Sequence, residues 1–389
     1  MSRLEELLQE LCPNGVEYAK IGDICEVITG GEAPKNSIKG KKPIGEYIYP
    51  IYSNGIGENS IWGFTKSYRI DRWAVTFSSI GTIGYPTLRE PFFTPIIRLK
   101  VIYPKDEKIL NISFLKYVLE IVEFNKQKSS VPNVNANMIK NITIPVPPLE
   151  VQREIVRILD SFTLLTAELT AELTARKKQY QHYLNSFFEN QTDNLVPLSS
   201  LGTITRGKRF VHADATETGV PCIHYGELYT FYGVHANTVK SHIREELRPK
   251  MRYAHKGDVI IVGAGENNID IGVGVAWEGN EDVAVHDACY TLCHSQNSKY
   301  ISFYLRSDMY HNQIKKYVSE GKVCSISATG LGKAMIPLPS ITEQERIVSI
   351  LDRFDSLCND ITTGLPAEIE ARQKQYEFYR DKLLSFKQL

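Results

Sequence analysis

The chain has 389 residues, 42% of them hydrophobic and 23% charged, with 45 basic side chains balancing 45 acidic ones. This is enough chain for two or three buried cores, and the composition excludes a disordered or fibrous protein. No apolar run approaches the roughly 18 residues of a membrane span, and the opening MSRLEELLQELCPNG is acidic and amphipathic without a signal-peptide core, so a cytosolic protein is expected.

In chain order, the first domain opens on Ile21-x2-Ile24-x2-Val27-x2-Gly30. A loop, PKNSIKGKKP, follows with Lys35, Lys39, Lys41 and Lys42, and then IYSNG with Tyr52, Ser53 and Asn54. Lys66, Arg69 and Arg72 lie around Tyr68. AVTFSSIG and FTPIIRLKV read as short strands, and the glycine-rich turn FSSIGTIG carries Ser79 and Thr82. A helical stretch opens with ISF at Ile112 and leads to the hinge IPVPPLE, where Pro145, Pro147 and Pro148 close the domain.

A long helix is expected next, with an apolar seam through Ile158, Phe162, Leu165, Leu169, Leu173, Tyr180, Tyr183 and Phe187. Steps of three and four residues along such a seam are the signature of a coiled coil. Inside it, TAELTAELTA (Thr166–Ala175) repeats a four-residue word, Thr166 and Thr170 each opening a copy. Four helical residues advance about 6 Å and turn a net of about 40°. A base pair of B-DNA advances about 3.4 Å and turns about 35°. The helix therefore reads as a ruler whose length changes in small quanta, although leucines placed in a seam also account for its stability.

The second domain repeats the first. Leu198-x2-Leu201-x2-Ile204-x2-Gly207 matches the earlier opening, with Arg206, Lys208 and Arg209 beside it. CIHYGEL presents His224 and Tyr225, and Arg244, Arg248, Lys250 and Arg252 form a denser basic group. DVIIVGAGENN (Asp258–Asn268) has a strand before G-x-G, but Asn268 replaces the third glycine of a dinucleotide fingerprint and IDIGVGVAW reads on as strand. Asn267 and Asn268 are polar loop candidates there. The seven cysteines are odd in number and scattered, as reduced thiols are, and Cys289 and Cys293 before His294 read as strand packing more than as a metal site. A helical stretch opens at Ile301, and Pro337 and Pro339 close the domain. Thr342-x-x-Glu345 reads as the capping box of a second long helix, interrupted at Gly364-Leu365-Pro366.

The chain is thus a tandem duplication. IPVPPLEVQREIVRILDSF at Ile144 recurs as IPLPSITEQERIVSILDRF at Ile336, and ARKKQYQHY at Ala175 recurs as ARQKQYEFY at Ala371. Expected boundaries are 1–143 and 193–335 for the two domains, and 144–192 and 336–389 for the helical segments. Residues 19–143 hold 17 Lys and Arg against 11 Asp and Glu, and residues 195–335 hold 15 against 14. Positive charge therefore gathers on the globular parts, as a phosphate-tracking surface requires. The polar and aromatic loop residues beside it are candidates for base edges. No P-loop, H-E-x-x-H, nucleophile elbow or N-P-P-[YF] loop is present, so no catalytic residue and no metal site are expected.

The duplicated hinges, the KKQYxxY and QKQYxxY helix ends and the TAEL words resemble the DNA specificity subunit of type I restriction–modification systems, in particular the type IC subgroup. That resemblance implies an α+β fold with two target-recognition domains and an internal pseudo-twofold repeat. Between them two long helices form an antiparallel coiled coil whose TAEL words (Thr166, Leu169, Thr170, Leu173) set a DNA gap. It implies double-stranded DNA, two methylase subunits and restriction subunits as partners. S-adenosylmethionine, ATP and Mg would sit on those partners and none on this chain, in a bacterial or archaeal cytoplasm. The readings left beside it are a coiled-coil scaffold that binds no DNA, and a self-contained methyltransferase or nuclease.

Overall fold

The structure, a computed structural model, describes residues 2–78, 85–122, 134–191 and 194–389. The chain forms two compact units, Met1–Ala167 with Ala371–Leu389, and Glu168–Glu370. The division falls inside the TAEL words and not at the proline hinges, because each hinge packs against its own domain.

In the first unit, a four-stranded antiparallel sheet runs in the spatial order Cys25–Thr29, Lys100–Pro104, Ala74–Phe77, Thr87–Arg89. A second runs Ser37–Lys39, Ile61–Thr65, Tyr49–Tyr52, Thr94–Pro95, with its last pair parallel. Tyr18–Lys20 pairs with Thr143–Pro145 and so ties the start of the domain to its hinge. Helix Ile112–Ile121, capped by the Asn111 side chain, packs Phe114, Leu115 and Val118 with Phe77 and Ile102 in one core. The core also takes in Ile155 and Leu159 of the long helix and Leu384 of the chain's end.

The second unit repeats this plan. Gly202–Arg206, Cys289–His294, Val259–Val262 and Gly274–Trp277 take the same spatial order, with His235–Ala236 as an extra edge. Ala215–Thr216, Ser241–Ile243, Val220–Ile223 and Val283–Val285 form the second sheet, again with a parallel pair, and Tyr253–Ala254 adds an edge. Leu195–Pro197 pairs with Met335–Pro337 at the hinge. Asn297 caps helix Ser298–Tyr304, whose Tyr300 and Tyr304 pack on Phe188.

Leu149–Glu189 is a single helix of 41 residues, about 60 Å of rise. In the TAEL words Leu169 and Leu173 are half-buried while Ala167, Glu168 and Thr170 are exposed. Two residues of the predicted seam meet aromatic rings of the C-terminal segment, each within its own unit: Phe162 stacks on Tyr379 at 5.5 Å, and Tyr183 lies 5.2 Å from Phe354. The C-terminal segment is broken, as expected, into Ile341–Asn359 and Leu365–Leu383. Asp360 holds the break by accepting from the Thr362 and Thr363 amides.

Three expectations need correcting. Ser340, not Thr342, caps the second helix, accepting from Glu343 N, because Ser340 is still extended while Thr342 already lies in the first turn. FTPIIRLKV is two strands, since Ile97 and Arg98 adopt φ of 53° and 60° and turn the chain between them. The helix expected to open at Ile301 starts at Ser298, where Asn297 supplies an earlier cap.

Candidate nucleic-acid interface

Three loops converge in each unit through a like set of main-chain hydrogen bonds, two of them equivalent and the third running in opposite directions between the same two loops. In the first, Gly30 N donates to Leu99 O (2.8 Å), Ile97 N to Gly31 O (2.8 Å) and Ile96 N to Tyr52 O (2.9 Å). In the second, Gly207 N donates to Cys289 O (3.0 Å), Lys208 N to Val285 O (2.9 Å) and His286 N to Ile223 O (3.3 Å). Parallel bridges Gly31–Ile96 and Lys208–His286 occupy matching places. A glycine is needed at the centre of each: a Cβ on Gly30 would lie 2.9 Å from Ile96 N, and one on Gly207 2.3 Å from His286 O. The two predicted glycine positions therefore serve close backbone approach, and the result is one notch per unit.

Around the first notch, Asn54 donates to Ile97 O (2.5 Å) and accepts from the Ser78 hydroxyl (3.2 Å), so its amide holds the loop together. Ser53 N donates to Ser60 O (2.8 Å). Tyr52 packs edge-on to Phe93 with the Arg89 guanidinium 4.0 Å above its ring. Arg89 is a cation that sequence reading passed over. Arg69 reaches Thr29 O at 3.5 Å. Exposed Tyr68 and Phe92 cluster with half-buried Tyr49, Tyr68 lying 5.1 Å from Tyr49 and 4.8 Å from Phe92. Lys66 pairs with Glu46 and Arg72 with Asp71. Lys41 donates to Glu58 O and Ile61 O, and Lys39 lies over Trp62, while Lys35 and Lys42 are exposed. Ser79 and Thr82 lie outside the described residues.

The second notch is lined by rings. His286 lies 4.9 Å from Phe210 and 4.6 Å from His224, which lies 4.4 Å from Tyr225. His286 Nδ1 accepts from Ala288 N, so a neutral ring carries its proton on Nε2 and donates it to Phe210 O (3.1 Å). Arg252 donates to Arg206 O at 2.7 Å, and Arg206 Nε donates to Asp287 O at 2.6 Å. Lys208, Arg209 and Lys250 are exposed. Arg244 is paired with Asp214 and Arg248 with Glu245, which lowers the positive potential of that predicted group. Asn267 reaches Asp270 (3.4 Å) and Asn268 reaches Glu320 (3.0 Å).

All nine histidines lie in Glu168–Glu370. Burial, which penalises the charged ring, holds His224, His286, His294 and His311 below the ordinary value of 6.5. Such groups bind fewer protons folded than unfolded, so their contribution is complete above pH 6.5 and is lost as pH falls through their folded values. His255, hydrogen-bonded to Asp282, is raised and works the other way at one exposed site. Acidification from pH 7 to 5 should therefore loosen the second unit and spare the first. Amide hydrogen exchange, corrected for intrinsic rate, reads this directly, and equal loosening of both units would refute it.

Val259–Val262 runs into a bridge and a 3-10 turn at Asn268–Asp270, then strand Gly274–Trp277, so no helix follows the G-x-G run to hold a pyrophosphate. Among the described residues no group of three or more His, Cys, Asp or Glu could hold a metal ion. Cys289 is buried and Cys293 exposed. No helix among the described residues is long and apolar enough to cross a membrane.

Comparison with known proteins agrees with the duplication. The family model described as a type I restriction modification DNA specificity domain matches residues 13–176 and again 193–371. The chain is 32% identical over 425 residues to the Escherichia coli type I restriction enzyme EcoR124I/EcoR124II specificity subunit, covering 99% of this chain and 97% of that one. Its fold is similar to a type I restriction-modification S subunit from M. genitalium (TM-score 0.55, 16% identity, 96% and 97% covered). It is also similar to a chain solved for the assembly and conformational transition of the type I R-M system (TM-score 0.62, 18% identity, 96% and 98% covered).

Proposed function

The chain belongs to the type I restriction modification DNA specificity family and is a non-catalytic DNA specificity subunit, and we propose that each unit reads one half of a bipartite, asymmetric DNA site. The observation that carries this reading is the pair of notches, which share one backbone frame but are lined by different side chains. Equal frames present two like surfaces to a duplex, and unlike linings read two unlike half-sites. The basic excess of residues 19–143 supports phosphate tracking beside the first notch.

The finer reading rests on the helices. The long helix and the broken C-terminal segment pair as an antiparallel coiled coil, supported by the Phe162–Tyr379 and Tyr183–Phe354 ring contacts. The TAEL words set the gap between half-sites, as in the type IC subgroup. Two methylase subunits dock on the helical regions, where Leu164, Ile361 and Phe378 are exposed apolar side chains. Restriction subunits complete the complex. S-adenosylmethionine, ATP and Mg belong to those partners, and the complex works on DNA in a bacterial or archaeal cytoplasm.

The test is base-modification mapping by long-read sequencing of cells expressing the cognate methylase with and without this chain. A bipartite methyladenine motif present only with the chain is expected. A methylase that modifies the same sites without the chain would overturn the reading.

A further inference from the structure

We infer that Arg206 and Asp287 together read one G·C base pair in the second half-site, Arg206 on the guanine and Asp287 on the cytosine. The inference rests on the DNA-reading role of the notches and names a residue pair within one of them.

The argument begins with the shared frame. Matching hydrogen bonds make Gly207 the counterpart of Gly30 and His286 the counterpart of Ile96. Arg206 then stands where the first unit has Thr29, and Asp287 where it has Ile97. Even the support is repeated: Arg69 reaches Thr29 O at 3.5 Å, and Arg252 donates to Arg206 O at 2.7 Å. The frame is common while the two side chains at its rim differ, which is the pattern expected of positions that distinguish one half-site from the other.

The chemistry of the pair narrows the target. Arg206 Nε is fixed by Asp287 O at 2.6 Å, while its Nη2 lies 4.0 Å from the Asp287 carboxylate. The side chains are 59% and 33% exposed, so the contact is too long and too wet to add much stability. Nε is held by a main-chain oxygen while the side chain stays more than half exposed and its Nη groups make no hydrogen bond among the described residues, which leaves them for a bidentate contact to guanine O6 and N7. A carboxylate beside that guanidinium would repel a phosphate. Beside a G·C pair it meets the cytosine N4 amino group, a donor that an aspartate accepts from. Donors and acceptor side by side thus match the major-groove edge of one base pair, read across both strands. His286 keeps the loop in place without adding charge, since burial holds its ring neutral near pH 7 and its Nε2 is committed to Phe210 O.

Arg206→Ala and Asp287→Ala are each introduced into the full chain, and methylation is mapped in cells carrying the cognate methylase. Both variants should relax the same single position of the second half-site, by about 5- to 150-fold in preference for G·C, and leave the first half-site and the gap unchanged. The inference is overturned if neither variant changes the motif. It is also overturned if the two relax different positions, or if Arg206→Ala weakens all sites evenly with a shallower salt dependence, as loss of a phosphate contact would. If Arg206→Ala abolishes modification, Arg206→Gln, whose amide suits adenine N6 and N7 in place of guanine, decides: one position relaxed or shifted from G·C supports the pair, and modification of an unaltered motif refutes it. An absence of any chain-dependent motif with the unaltered chain would instead refute the specificity role itself.

Discussion

Deleting one TAEL word, residues Thr166–Leu169, is expected to leave both half-site sequences intact and to shorten the gap between them. Nothing in either notch is touched: the nearest notch residues in sequence are Leu99 and Arg206. The deletion joins Leu165 to the next copy of the same word, so the helix keeps residues of high helical propensity and a leucine in the seam. What changes is the stretch of helix joining the two units, by about 6 Å and about 40°. The rotation corresponds to about one base pair of DNA. The C-terminal segment must absorb the same change, and its break between Asn359 and Leu365, held by the Asp360 turn, is where it can. That segment already carries four more residues between its two matches to the first copy than the first copy does, the offset growing from 192 at Ile336 to 196 at Ala371. Modification mapping of the deletion reads the result. Loss of one half-site, or an unchanged gap, would sink the ruler.

Much of this architecture was legible in the sequence because it is carried by local signals. Prolines at the hinges, leucines and tyrosines at heptad-like steps and the repeated IVxILD word all act over a few residues, so the long helix and the interrupted C-terminal segment could be read from them, whereas the start of the helix at Ser298 could not. The cap was misread because Ser340-x-x-Glu343 and Thr342-x-x-Glu345 overlap, and only the backbone shows which residue is still extended. The notches were legible in part. The sequence marks their glycines and the polar loops that meet there, but not Asp287, Ile97 and Arg89, since an acid, an apolar residue and a lone arginine carry no sequence mark of a shared backbone frame. Nor does sequence show which cations are already paired. Arg244 meets Asp214 from thirty residues away, and Lys41 is held by two carbonyls of another loop. Binding surfaces assembled by main-chain bonds between distant segments leave only their glycines behind as a trace.

The repeated hinge word also contains a residue whose role only the structure explains. Gln152 and Gln344 hold equivalent places in the duplication, and both are fully buried. Gln152 accepts from Asn111 N (2.8 Å) and donates to Ile109 O (2.8 Å) and Pro147 O (2.7 Å). Gln344 accepts from Asn297 N (3.1 Å) and donates to Pro339 O (2.9 Å). In each unit the amide thus ties the proline hinge to the loop that caps the domain helix, and with it the start of the long helix to the globular core. Gln152→Leu keeps the volume and removes all three bonds. It strands one amide and two carbonyls in the interior at about 1–3 kcal/mol each, so a loss of about 3 kcal/mol or more is expected. Gln152→Glu sharpens the test. A carboxylate accepts from Asn111 N but faces the oxygens of Ile109 and Pro147, so its folded pKa must rise. The penalty is then largest at neutral pH and eases as pH falls and a proton supplies one donor. Urea unfolding followed by hydrogen exchange at residues 109–115 measures both variants. A cost below about 1 kcal/mol for Gln152→Leu, or a Gln152→Glu variant that weakens further on mild acidification, would show that the hinge is held by packing and not by this amide.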